Sequence, residues 1–308
     1  KVLIICSANS GKIMPFILEQ GDELVRQGIE VDYFPIKGKG FKGYLSNLKA
    51  LNEKINSSNF QLVHAHYGLS GALAVLQRKL PVVITFHNGE TLTFKGNLIS
   101  SIASLFSVFN IYVAQHIYDL TFFKRKKKSV VIPCGINLNQ INVIPKEEAK
   151  KIMNLPNNQI NILFGGSFAN LRKNYPLAKA AIDLLPQKNI NLIELKGFNR
   201  QQVTNLLCGC DLMLLPTKSE GSPQIVKEAM ACNCPIVATN VADISEIIAE
   251  TEGCFLTDFD PQNVAEAISK ALLFNGRTDG RVKMSRYDNS KIVNEIIKIY
   301  NKCMINNL

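Results

Sequence analysis

Carboxylates are scarce in this chain: 25 Asp and Glu stand against 35 Lys and Arg among 308 residues, a formal net charge of +10. Charged residues of all kinds reach only 19% while hydrophobic ones reach 46%, which excludes general disorder and fits a packed globular protein. Histidine is rarer still, and His64, His66, His87 and His116 all fall in the first 116 residues. No internal repeat with a period on the order of 20–50 residues is present, which excludes solenoids and propellers. The apolar run in KVLIICSANS is too short for a secretory core and reads as a first strand.

An uninterrupted apolar span is also missing. Gly96 to Tyr118 carries no charge over 23 residues, enough to cross a bilayer. It contains Asn97, Ser100, Ser101, Ser104, Ser107, Asn110, Gln115 and His116, too many polar groups for a lipid-facing span. Leu98, Ile99, Ile102, Leu105, Phe106 and Phe109 recur at helical spacing, followed by a strand over 111–114. The expectation is an amphipathic helix whose apolar face packs on the protein, with a membrane interface as the alternative.

Zinc-type cysteine spacing is lacking too. The eight cysteines include two C-x-C pairs, 208/210 and 232/234, set in apolar runs where a thiol serves as a small hydrophobe. Reduced, buried thiols imply a cytoplasmic protein.

What is present is a regular alternation. Strands are expected at 2–6, 29–34, 61–65, 82–86, 111–114 and 130–133, then at 160–165, 190–195, 212–216, 235–239 and 253–256. Helices fall between most of them, as at 13–27, 174–185, 223–231 and 261–274. That pattern means parallel α/β sheets, and the length calls for two domains. The uncharged stretch from Cys134 to Pro145 reads as the junction, giving domains 1–135 and 136–286 and a last helix within 287–308. Residues 1–135 hold 16 Lys/Arg against 8 Asp/Glu, and the remainder 19 against 17, so the positive charge belongs to the first domain. Lys124-Arg-Lys-Lys-Lys128 is its densest point. Such a balance calls for an anionic partner: nucleic acid, a phosphorylated small molecule or an acidic membrane.

Several motifs fail on context. Gly38-Lys-Gly40-Phe-Lys-Gly43 follows the second strand, not the first, and no carboxylate ends the next one, so it reads as a flexible basic loop. Ser10-Gly11-Lys12 lacks the flanking residues of a phosphate-binding P-loop. Asp258-Phe-Asp260 precedes Pro261 and a helical pattern, which makes Asp260 an N-cap. His64-Ala-His66 lacks a carboxylate to complete a metal site and suits a cleft lining equally well.

Residues 212–239 carry the chemistry. A buried strand ends at Pro216, a polar loop follows, and Ser222-Pro223 is expected to cap a new helix. Free amides of Gln224 and Ile225 at the positive helix end form an anion site. Glu220 and Glu228 flank it and can accept hydrogen bonds from hydroxyls. A phosphate between two polyols is a nucleotide diphosphate sugar.

Glu220-Gly-Ser-Pro-Gln-Ile-Val-Lys-Glu228 resembles the E-x₇-E motif of retaining glycosyltransferases of family 4, in the bacterial polysaccharide and glycolipid branch, continuing through MACNCPIVATNVADISEII. SANSGK, VHAHYG, TFHNGE, VIPCGIN and GGSFANLRKNYPLAKAA extend the resemblance over most of the chain, with 35–60 and 95–110 matching poorly. It implies the GT-B fold: two Rossmann-like domains facing a cleft, an acceptor domain first and a donor domain second, with the C-terminal helix packing back on the first. It also implies that Glu220 holds donor-sugar hydroxyls and Glu228 the ribose. Lys173 with Arg172 would neutralise the leaving diphosphate, Gly11 would let its loop approach the phosphates, and Gly221, Ser222, Gln224 and Ile225 would surround them. His87 would face the sugar. Two departures stand out: Ser167 occupies the place of a usual Arg, and the first loop has one glycine instead of several.

The expectation is therefore a retaining, metal-independent hexosyltransferase without cofactor, using a nucleotide diphosphate sugar, UDP preferred. It would act on a glycan or lipid-linked acceptor in cell-surface polysaccharide synthesis, cytoplasmic or peripheral at the inner membrane face. Lys124–Lys128 and the 97–109 helix would meet an anionic membrane. The rivals are an epimerase or phosphorylase on the same fold and a basic nucleic-acid-binding protein, the latter without aromatic-interleaved basic strands to support it.

Overall fold

Short runs of Val, Ile and Leu, buried on both faces, become the central strands of two parallel sheets. The computed structural model describes residues 1–89, 91 and 93–305. These divide into one unit of Lys1–Gly135 together with the chain from Tyr287 onward, and a second of Ile136–Arg286.

Unit 1 contains β1 (Val2–Ser7), α1 (Pro15–Arg26), β2 (Val31–Ile36), α2 (Gly40–Leu45), α3 (Leu48–Asn56), β3 (Leu62–His66), α4 (Gly68–Val75) and β4 (Val82–Phe86). It continues with α5 (Phe94–Phe106), β5 (Phe109–Tyr112), α6 (Gln115–Leu120) and β6 (Ser129–Val131). Among the described residues its sheet has the order β2-β1-β3-β4-β5-β6, parallel throughout. Unit 2 contains α7 (Lys146–Ile152), β7 (Ile160–Phe164), α8 (Tyr175–Leu184), β8 (Ile190–Glu194), α9 (Arg200–Gly209) and β9 (Leu212–Leu215). Then come α10 (Gln224–Ala231), β10 (Ile236–Thr239), α11 (Ile244–Ile248), β11 (Cys254–Thr257), α12 (Pro261–Phe274) and α13 (Gly280–Lys283). Its sheet order is β11-β10-β9-β7-β8, again parallel. Asp260 caps α12, its side chain accepting from the Gln262 amide with Pro261 in the first turn.

The chain then returns to unit 1 as α14 (Asn289–Ile305). Ile292, Val293, Ile296, Ile299, Tyr300 and Cys303 enter one buried cluster with Val2, Ile4, Val83 and Ile111. Tyr300 Oη lies 2.6 Å from His64 Nδ1 inside it. Burying one large apolar side chain is worth about 1.5–3 kcal/mol, so this face of α14 supplies on the order of 10 kcal/mol, as much as a whole domain's stability. A chain ending at Arg286 is expected to lose the cooperative melting of unit 1 and keep that of unit 2, which calorimetry with limited proteolysis checks.

Two expectations need correction in unit 1. The glycine run at 38–43 is not a flexible loop. It opens α2, and the backbones of Gly38 and Gly43 touch: a Cβ on Gly38 would sit 2.6 Å from the Gly43 carbonyl oxygen. Asn9 fixes the same turn, with Oδ1 accepting from Gly38 N at 2.8 Å and Nδ2 donating to its carbonyl at 2.7 Å.

The second correction concerns α5, whose apolar residues turn inward only in part, through Ile99 and Ala103. Asn97, Ser100, Ser101 and Ser104 are buried, while Ile102, Leu105 and Phe106 are exposed. Small side chains permit the approach of α4: a Cβ on Gly68 would lie 1.8 Å from Ser100 Oγ. Of the buried polar groups, Asn97, Ser101 and Ser104 are hydrogen-bonded, Ser101 Oγ donating to Asn97 Oδ1 at 3.0 Å and Asn97 Nδ2 to the Leu120 carbonyl at 2.8 Å, while Ser100 Oγ packs against Gly68. Arg125 also leaves the basic run. Its Nη1 donates to the carbonyls of Ser104, Leu105 and Ser107 at 2.8, 2.9 and 2.6 Å, satisfying the end of α5. No helix among the described residues is long and apolar enough to cross a membrane.

Candidate functional site

In an open parallel sheet, ligands gather beyond the carboxyl ends of strands where the strand order reverses. In unit 2 that point lies between β7 and β9, and the loops leaving these two strands carry the expected donor residues. Lys173 ends the first loop. Gly166 makes room for it, since a Cβ there would lie 2.6 Å from Lys173 Cγ. Lys173 Nζ donates to Glu220 Oε1 at 2.7 Å across to the second loop. Thr217 Oγ1 donates to the same oxygen at 2.9 Å. Both members of this pair are largely buried, at 14% and 9% side-chain exposure. Sequence order separates them by 47 residues; topology joins them.

Arg172 is held by its backbone, its carbonyl accepting from Lys218 N at 2.8 Å, while its side chain is exposed. Ser167, at the place of the usual Arg, donates to Glu194 Oε1 at 2.6 Å at the end of β8. This bond and one from Phe168 N hold the Glu194 carboxyl below its ordinary range.

The second loop runs through Gly221 and Ser222 into α10. The expected serine cap is corrected: Pro223 is the N-cap, and helix begins at Gln224. Ser222 Oγ instead donates to Asp243 Oδ2 and accepts from Lys227 Nζ, both at 2.6 Å. Lys227 is fully buried, and an ammonium there must find acceptors. Serving that charge takes the hydroxyl from the cap. Gln224 and Ile225 open the first turn of α10, in which Val226 N donates to the Pro223 carbonyl at 3.2 Å. Glu228 lies in the second turn, 3.3 Å from Arg200 Nη1 of α9. Burial holds its carboxyl above the ordinary range, and Arg200 offsets only part of that rise.

In unit 1 the reversal lies between β1 and β3. Gly11 sits in the loop after β1 with φ +90°, which favours glycine, and has open space on its Cβ side. His66 ends β3, and its Nδ1 is 3.0 Å from Nε2 of His87, the residue after β4. Cys134 Sγ is 3.7 Å from His87 Nδ1. Burial holds both histidines neutral, His66 down to about 3 and His87 well below the ordinary value, the latter helped by His66. The residues just after them, Tyr67 (φ 73°) and Asn88 (φ 102°), are non-glycine residues in strained backbone, each costing about 1–3 kcal/mol. TFHNGE ends at Glu90, outside the described residues.

Sequence reasoning missed Thr217, Lys227, Asp243 and the role of His66 beside His87. A lysine between Val226 and Glu228 on an apolar helix face was the one visible signal. Among the described residues no group of three or more His, Cys, Asp or Glu is arranged to hold a metal.

Comparison with known proteins places this architecture. Solved structures match nearly the whole chain: sucrose-phosphate synthase of Thermosynechococcus elongatus (TM-score 0.84, 15% identical, 99% of this chain and 100% of that one). Anabaena HepE in complex with UDP gives 0.77 and 15%, over 98% and 100%. The fold is therefore that of the GT-B class, two Rossmann-like α/β domains. Residues 1–140 match the family profile described as Glycosyltransferase Family 4, and 147–273 the one described as Glycosyl transferases group 1. An uncharacterised glycosyltransferase of Methanocaldococcus jannaschii, MJ1178, is 25% identical over 255 residues, 75% of this chain and 71% of that protein. A provisionally named teichuronic acid biosynthesis glycosyltransferase of Bacillus subtilis, TuaC, is 26% identical over 239 residues, 68% and 60%. The chain is a glycosyltransferase of the GT-B type.

Proposed function

We propose that this glycosyltransferase moves a sugar, with retention at the anomeric carbon, from a nucleotide diphosphate sugar to a glycan or lipid-linked acceptor of a cell-surface polysaccharide. The observation that carries the reading is the Lys173–Glu220 pair at the strand-order reversal of unit 2. Donor binding takes Lys173 away from Glu220 in part: the ammonium turns to the diphosphate, and the carboxylate gains a sugar hydroxyl as its new donor. Glu228 accepts from the ribose hydroxyls. The α10 amides, with Gly221 and Ser222 beside them, and Arg172 with its exposed side chain meet the phosphate oxygens.

The C1–O bond to the diphosphate breaks as the acceptor oxygen bonds C1 on the same face through an oxocarbenium-like state. The acceptor proton passes to the departing phosphate oxygen, and Lys173 and Arg172 stabilise its charge without a metal. UDP is the preferred nucleotide, in line with the UDP complex of HepE. The test is thermal stabilisation across UDP, GDP, ADP and CMP. A nucleotide at about 100 times its Kd adds about 2.7 kcal/mol to the unit that binds it. UDP is expected to raise the melting of unit 2 most, and no shift with any diphosphate rejects the donor site. An inverted product anomer, or activity lost with a chelator, rejects the mechanism.

A further inference from the structure

A helix packed on a sheet normally buries its apolar residues, and α5 turns Ile99 and Ala103 inward but leaves most of its larger ones outside. Phe94 and Phe106 are 72% and 66% exposed, and Ile102 and Leu105 stand out between them. This rotation is fixed by the hydrogen bonds on the buried side, so the exposure is not slack in the packing. The chain after α6 runs along the same helix: Phe122 N donates to Ser101 Oγ at 3.0 Å, and Ser104 Oγ to the Phe123 carbonyl at 3.4 Å. Phe122 and Phe123 thereby join the exposed patch, with the rings of Phe94 and Phe122 5.4 Å apart.

Cations surround this patch. Residues 94–128 carry six Lys and Arg against the single carboxylate of Asp119. Arg125 is tied to the carbonyl end of α5, which sets the exposed Lys124, Lys126, Lys127 and Lys128 at that end, and Lys95 stands at the other. A second copy seated on this face would bring two lysine clusters together with almost no carboxylate to meet them. An anionic bilayer interface takes both components at once, apolar rings at the acyl boundary and ammonium groups among the headgroups.

We propose that the α5 face of unit 1, with the 122–128 segment, docks this chain on an anionic phospholipid membrane. The docking is independent of the donor chemistry proposed above, and its test reads binding, not transfer. The chain has no tryptophan, so F106W places a single indole in the patch. With vesicles of phosphatidylcholine containing about one-third phosphatidylglycerol, its emission is expected to shift to the blue and the protein to sediment with the lipid. Each lysine near such a surface is worth about fivefold in partitioning, so K124Q/K126Q/K127Q/K128Q should weaken it several hundred-fold. F94S/F122S should remove the rest while leaving the melting temperature unchanged, because both rings are exposed. The proposal is overturned by equal binding to neutral vesicles, or by lysine and phenylalanine variants that bind like the parent. A blue shift without lipid, matched by a dimer in sedimentation equilibrium, overturns it in favour of self-association. Binding to heparin that F94S/F122S leaves intact overturns it in favour of a soluble polyanion.

Discussion

K173M is expected to slow sugar transfer by a factor on the order of 10²–10³ and to destabilise unit 2 together, and the two losses can be separated. The pair it breaks is largely buried, so removing the ammonium leaves the Glu220 carboxylate without its cation. Breaking a buried pair from one side costs about 3–5 kcal/mol. The double variant K173M/E220Q removes the stranded charge and keeps an acceptor for Thr217 Oγ1, so its melting temperature should return close to that of the parent. Transfer should not return with it. Losing a group that stabilises charge on the departing phosphate costs a factor on the order of 10²–10³ in rate. Calorimetry and a radiolabelled-sugar assay on the three proteins decide the matter. A double variant that folds and transfers at the parental rate makes the pair a structural clamp only, and the assignment of both residues falls.

That pair also shows how far the sequence reaches. The strands and their alternation were legible because apolar runs buried on both sides admit few other readings, and parallel connection follows from the helices between them. Glu220 and Glu228 share one short segment, so their helix and loop could be placed from spacing. The contact of Lys173 with Glu220 depends on β7 and β9 being neighbours, a property of strand order that local pattern does not contain. Residues 97–109 misled for a related reason. Periodicity marks an apolar stripe but does not say which side meets the protein, and here a row of serines, small enough for close helix packing, supplies the buried side. Ser222 followed the sequence rule for a cap and was taken instead by Lys227, a buried charge whose need outweighs one amide. The glycines at 38 and 43 serve a backbone contact that the nucleotide-motif comparison could not foresee.

Mild acid should unfold unit 1 well before unit 2. His64, His66 and His87 stack along the ends of β3 and β4, ring centroids 4.5 Å apart for the first pair and 5.3 Å for the second. His64 is tied to Thr85 Oγ1 at 2.7 Å as well as to Tyr300. Burial, reinforced by His66 and His87, drives its imidazole well below the ordinary 6.5. With His66 and His87 held down likewise, the folded unit excludes three protons that the unfolded chain takes up. A histidine depressed on folding contributes stability that is whole above its unfolded value and is lost as pH falls towards its folded one. Each costs about 1.4 kcal/mol per pH unit in that window, so three remove about 4 kcal/mol per unit below about pH 6. A domain holding about 5–15 kcal/mol should therefore fail between roughly pH 5 and 3. Unit 2 has no histidine, and its depressed carboxyls, Glu194 and Asp258, act only below about pH 4. Hydrogen exchange between pH 7.5 and 4.5 should show β3 and β4 opening first, with H66N reducing the slope by about one third. Equal loss of protection in both units, or a slope that H66N leaves untouched, would show that the histidines are not the acid-sensitive element.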